Sequence, residues 1–99
     1  MYCVYLTFYS GNRLPPFYIG CTKVSNIDRG YHGSVSSKKY KNIWKSELEN
    51  NPHLFKTSII TYHKTQKDAI EREKKFQLHL NVIKNQLYIN MAIGYYSDN

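Results

Sequence analysis

The chain has 99 residues, enough for one domain with a single modest core and too few for two. Its 41% hydrophobic content and ten tyrosines exclude a disordered chain. No apolar run approaches the roughly 18 residues of a membrane span, and the N-terminus lacks the basic-then-apolar pattern of a secretory signal, so a soluble, intracellular, cytoplasmic protein is expected. Fourteen Lys and Arg against seven Asp and Glu give a net charge of +7 and a pI near 9.4. Such a field draws a polyanion, and nucleic acid is the obvious one. Cys3 and Cys21 are too few and too far apart for a zinc site. They read as small buried hydrophobes, with a Cys3–Cys21 bridge as the alternative.

Residues Tyr2 to Tyr9 alternate with a period of two, Val4, Leu6 and Phe8 on one face and Cys3, Tyr5 and Thr7 on the other. The purely apolar set is expected to face the core. The turn chemistry of Ser10 to Pro16 leads to a second strand from Phe17 to Thr22, completing a hairpin with a long loop. With the apolar sets inward, Tyr5 and Tyr18 share the opposite sheet face, where their hydroxyls can meet a ligand. Ser25-Asn26-Ile27-Asp28 predicts the cap of a short helix ending near Gly30 or Gly33, followed by a Ser/Lys loop. Tyr40, Ile43, Trp44 and Leu48 have helical spacing, and Asn50-Asn51-Pro52 stops that helix. Phe55 to Tyr62 predicts a third strand, Thr65 the cap of a helix running to about Leu80, and Leu87 to Ala92 a last extended piece. This order predicts an α+β domain over residues 1–99, a small, mainly antiparallel three-stranded sheet flanked by helices.

On the last helix Ala69, Phe76 and Leu80 fall on one face together with Glu73, whereas Glu71 points away and stands four residues before Lys75, as in an exposed ion pair. A carboxylate on the core side must pair with a cation, ligate a metal or lie at the rim of a cleft. Two tyrosines on one sheet face, a carboxylate at a helix–sheet junction and excess basic charge are parts that phosphodiester hydrolysis needs. That reaction requires an activated water, a cation to neutralise developing charge and a carboxylate to hold it.

Cys3-Val4-Tyr5 followed by Tyr18-Ile19-Gly20 resembles the paired tripeptides of GIY-YIG endonucleases, with Cys3 in place of the first glycine. Glu71-Arg72-Glu73 and Tyr88-Ile89-Asn90-Met91-Ala92 look like the family's later motifs, and the segment from Gly30 through Pro52 looks like its phage members. The resemblance covers almost the whole chain. It implies the catalytic domain of a phage homing endonuclease, hydrolysing double-stranded DNA with Mg²⁺, or Mn²⁺ as its substitute. Tyr5 and Tyr18 would flank the scissile phosphate, Glu73 would bind the metal, and Asn90 would hold the site through side-chain hydrogen bonds. One phenol would position or deprotonate the attacking water. Since a free phenol's pKa is near 10, cations or metal-bound water must assist.

The sequence departs from the family at its arginine, a place that Arg29 or His32 can fill. Tyr40 falls where some homing members carry a catalytic histidine, so its phenol either takes that role or packs in the core. Lys38, Lys39, Lys41 and Lys45 form a basic cluster suited to DNA backbone, giving affinity without sequence preference. His53, His63 and His79 lack metal-ligand spacing and are assigned to structure or surface. With neither a zinc-finger spacing nor a helix-turn-helix, no separate DNA-binding domain is expected within the chain. The alternatives are a repair or structure-specific nuclease of the same family and a noncatalytic nucleic-acid-binding domain that keeps the fold.

Overall fold

The computed structural model describes residues 1–90. Strand β1 (Tyr2–Tyr9) is central, with β2 (Phe17–Lys23) and β3 (Phe55–His63) antiparallel on either side. Helices α1 (Val24–Asp28), α2 (Lys41–Asn50) and α3 (Gln66–Leu80) complete the predicted order, with a 3-10 turn over Pro52–Leu54. No helix is long and apolar enough to cross a membrane.

The expected inward face of β1 is corrected by the structure. Phe8, assigned to the core, is 43% exposed, while Cys3, Tyr5, Thr7 and Tyr9 on the other face are all buried. A central strand is covered on both sides, so an apolar alternation cannot by itself say which face meets a core. On the face of Tyr5 and Tyr9, Trp44 of α2 packs with Tyr9, Val35 and Phe55. On the other, Phe76 and Leu80 of α3 pack on Val4, Ile19 and Val82. Thr7 is tolerated in the interior because its hydroxyl donates to the His32 carbonyl at 2.6 Å and lies 2.8 Å from the Thr57 hydroxyl.

Helix α3 begins where its cap predicts, with the Thr65 side chain accepting from the Asp68 N–H at 3.1 Å. Its C-cap, Asn81, takes the left-handed conformation that asparagine tolerates. Helix α1 differs from expectation. Ser25 lies inside it, Lys23 is the N-cap with no side-chain bond, and the helix ends at Arg29 before Gly30, whose φ is +90°. The expected Glu71–Lys75 ion pair is also absent, since among the described residues the ion pairs are Arg13–Glu47 and His63–Asp68.

β2 is an edge strand, and its outer side is closed by the end of the described chain. Phe17 N–H donates to the Leu87 carbonyl and Ile89 N–H to the Phe17 carbonyl, both near 2.9 Å, forming a parallel bridge at Tyr88. The predicted extended piece is therefore present over residues 87–90; its last two positions, Met91 and Ala92, lie outside the described residues.

Candidate active site

Antiparallel register sets Tyr5 opposite Gly20 and Thr7 opposite Tyr18, so the two tyrosines share one sheet face, as the alternation predicts. Their ring centroids are 6.3 Å apart, and Tyr31 meets Tyr5 edge-on at 6.2 Å. Tyr5 is only 2% exposed, so its hydroxyl is covered rather than open to a ligand. Two glycines make that position possible. A Cβ on Gly20 would come 2.4 Å from the Tyr5 hydroxyl, and one on Gly33 would come 2.8 Å from it and 2.7 Å from the Tyr18 ring. Gly33 also has a φ of +115°, a conformation that side chains rarely adopt.

The segment around Gly33 is tied down on several sides. Trp44 Nε1–H donates to the Gly33 carbonyl at 3.1 Å, and the Tyr18 hydroxyl to the Ser34 carbonyl at 3.1 Å. His32 is held at the far side of this face, its Nδ1 2.7 Å from the Thr57 hydroxyl and its ring against Phe55. Burial lowers the His32 pKa, so the imidazole is neutral at pH 7 and supplies no fixed positive charge.

Glu73 reaches β2 from the opposite sheet face, on the same buried side of α3 as Ala69 and Gln77. It is 9% exposed, and its Oε2 accepts from Gln77 Nε2–H at 3.0 Å. No cation pairs with it among the described residues, so the ion-pair reading of this position is not realised. Burial pushes its carboxyl up to about 7, against the lowering effect of hydrogen bonds from the Cys21 thiol and Gln77. The Cys21 thiol is itself raised to about 12 by burial and by the Glu73 charge.

Burial, neighbouring phenols and Glu73 raise Tyr5 well above the ordinary phenol range; burial, Glu73 and Tyr31 do the same for Tyr18. Both therefore stay protonated near neutrality, as hydrogen-bond donors and not as bases.

Asn90 is buried and uses both ends of its amide on β2. Its Oδ1 accepts from the Ile19 N–H at 3.0 Å and its Nδ2 donates to the Ile19 carbonyl at 2.9 Å. This is a side chain acting as a strand neighbour, and it fixes the backbone between Tyr18 and Gly20.

Beyond Ile19 the edge of β2 opens on a cleft of about 600 Å³, lined by Cys21, Thr22, Lys23, Asn26 and Arg29, with Tyr2 and Gln66 at its margins. Arg29 and Lys23 are exposed, and no acidic side chain lines the cleft among the described residues. Arg29, and not His32, thus stands on the same cleft as Cys21, the neighbour of Glu73. Tyr40 is elsewhere. It caps α2, packs against the Trp44 core and carries the Lys39 ammonium 5.2 Å from its ring centroid. Lys38, Lys39, Lys41 and Lys45 are all exposed.

Cys21, Gly33, Tyr31 and Gln77 belong to this constellation without having been singled out for it from sequence. Cys21 was taken for a buried hydrophobe, whereas it is half-buried and polar in its contacts. Cys3 and Cys21 are free thiols on opposite sheet faces, which rules out a bridge between them. Gln77 lies one turn after Glu73, an i+4 spacing that sequence alone could have flagged. Gly33 and Tyr31 are brought in by a loop, which carries no such signal.

Set beside models of known protein families, curated proteins and solved structures, the chain matches none of them.

Proposed function

We propose that this chain is a divalent-metal-dependent DNA endonuclease of the GIY-YIG type, with its catalytic centre where Glu73, Cys21, Tyr5 and Tyr18 meet at the edge of β2. The observation that carries this reading is Glu73, a carboxylate buried in the interior with no cationic partner among the described residues, next to a cleft bearing Arg29 and Lys23. A carboxylate so placed is stabilised by a bound cation.

The donor set fits Mg²⁺ in its usual nuclease role. Among the described residues no group of three His, Cys, Asp or Glu side chains converges, so an ion at Glu73 would take its other ligands from water and phosphate oxygens. Mg²⁺ keeps most of its waters and accepts one or two carboxylates in this way. When bound, the metal supplies charge neutralisation at the phosphate and a more acidic water.

The chain's own groups do the rest. Glu73 holds negative charge at the edge of β2. Arg29 grips a phosphate oxygen with paired N–H groups, and Lys23 adds a second cation. Tyr18, protonated, donates a hydrogen bond and orients the phosphate, while Tyr5 supports Tyr18 from beneath. Water attacks phosphorus as one ester oxygen leaves, and the charge that accumulates on the nonbridging oxygens is met by the guanidinium. Neither phenol takes the water's proton unaided, because both are held protonated.

Incubating the chain with supercoiled plasmid, with Mg²⁺ or Mn²⁺ against an EDTA control, tests this reading. Metal-dependent nicking that falls at least roughly a hundredfold in Arg29→Ala supports it, since loss of one charge-stabilising donor costs on that order. A second reading, a noncatalytic DNA-binding domain, draws on the burial of Tyr5. It predicts salt-sensitive binding with no cleavage under any metal. Faster cutting of branched than of plain duplex DNA would place the enzyme among structure-specific nucleases.

A further inference from the structure

A second basic cleft, of about 380 Å³, lies between the start of α2 and the segment that follows α3. Lys39 and Tyr40 form one wall, and Lys84, Gln86 and Tyr88 the other. It shares no lining residue with the Cys21–Arg29 cleft. Two lysines distant in sequence face one concavity here, and no acidic side chain lines it among the described residues. Their mutual repulsion is relieved by an anion held between them.

Tyr40 explains why one of these cations is in place. Its ring packs against the Trp44 core and is half-buried, and the Lys39 ammonium lies 5.2 Å from its centroid. This is within the range of a cation–π contact. A lysine at the end of a Ser-rich loop thereby gains an anchor on a rigid element.

We propose that this cleft is a second DNA contact, in which Lys39 and Lys84 bind a backbone phosphate of double-stranded DNA. Tyr40 is then a positioning residue for the Lys39 ammonium and not a group at the reacting phosphate. The inference rests on the reading of the chain as a DNA-acting protein, but it concerns binding and is tested without cleavage.

Binding of a short fluorescent duplex is followed by anisotropy in EDTA over a range of salt concentrations. Lys39→Ala/Lys84→Ala is expected to lower the slope of log affinity against log salt by about 2, one for each lost phosphate contact, and to weaken binding about tenfold or more near 0.1 M salt. Lys56→Ala/Lys64→Ala, which removes the same charge at and just beyond the opposite edge strand, β3, is expected to leave the slope intact. Tyr40→Phe keeps the ring and binds like the parent, whereas Tyr40→Ala weakens binding part of the way. An unchanged slope in Lys39→Ala/Lys84→Ala, or an equal loss in the control pair, overturns the proposal while leaving the nuclease reading standing. Loss of plasmid cleavage in Tyr40→Phe with binding intact overturns it too, by returning the phenol to the chemistry. Absence of DNA binding by the parent chain overturns the nucleic-acid reading and this proposal together.

Discussion

Two glutamates of this protein are buried, and their surroundings differ in the one respect that matters for function. Glu47 is paired with Arg13 at 3.1 Å and accepts from Asn51 at 3.2 Å, a satisfied structural carboxylate. Glu73 has an amide and a thiol for neighbours and no cation among the described residues. Its carboxyl is raised from an ordinary value of 4.5 to about 7, so the folded state favours the protonated form. The associated stability is complete below about pH 4.5 and is lost as pH rises through 7, an effect of about 3 kcal/mol. Glu73→Gln should therefore be more stable than the parent at pH 8 and nearly equal to it at pH 4.5, as read by urea unfolding. Millimolar Mg²⁺ at pH 8 should raise the melting temperature of the parent and leave that of the variant unchanged. A parent insensitive to both pH and Mg²⁺ would remove Glu73 as a metal site. Gly33 makes a separate prediction at this scale. Gly33→Ala forces a side chain onto a φ of +115° and into Tyr5 and Tyr18, so it should cost about 1–3 kcal/mol in urea unfolding and disturb the tyrosine fluorescence.

Among the elements, the edge of β2 does most to place the site. Phe17 is bonded to the 87–89 segment and Ile19 to the Asn90 amide, and only past Ile19 does the cleft begin. Asn90→Ala would leave the buried Ile19 N–H and carbonyl unpaired. A loss of about 2–4 kcal/mol is expected, with hydrogen exchange at Ile19 accelerating before that of β1. If Ile19 remained protected in this variant, the clamp would be incidental. The long periodic elements, α2, β3 and α3, were legible in the sequence because a stripe or an alternation repeated over nine or more residues outweighs local exceptions. Helix α1 has five residues and no side-chain cap, so nothing in the sequence marked its start. The faces of β1 were misread for a different reason. Its polar-looking side, Thr7 with two tyrosines, is buried because hydroxyl partners and glycine gaps from distant segments accommodate it. The site was legible as a residue set, Tyr5, Tyr18, Glu73 and Asn90, because the motifs fixed it. Its wrapping around both faces of β2, and the parts played by Cys21 and Gly33, depend on contacts that no local pattern encodes.

Across the whole molecule, a net charge of +7 is distributed so that two clefts carry cations and no acidic lining among the described residues, while the buried carboxylate at Glu73 stands behind one of them. This gives a division of labour: lysines and Arg29 attract and hold a polyanion over a broad front, and one site bears the chemistry. The histidines and Tyr40, which family resemblance or residue type alone would draw toward that site, stand outside it or serve the framework. The account therefore concentrates on a single side chain. Its most direct test is nicking of supercoiled plasmid by Glu73→Gln, a substitution that keeps the shape and the amide contacts of the site, compared with the parent under saturating Mg²⁺. Cleavage by the parent that requires the metal and falls at least roughly a hundredfold in a folded variant that still binds DNA is the predicted result. Equal cleavage by parent and variant, or none by a parent that is folded and DNA-bound, would contradict the assignment of a metal-dependent nuclease centred on Glu73.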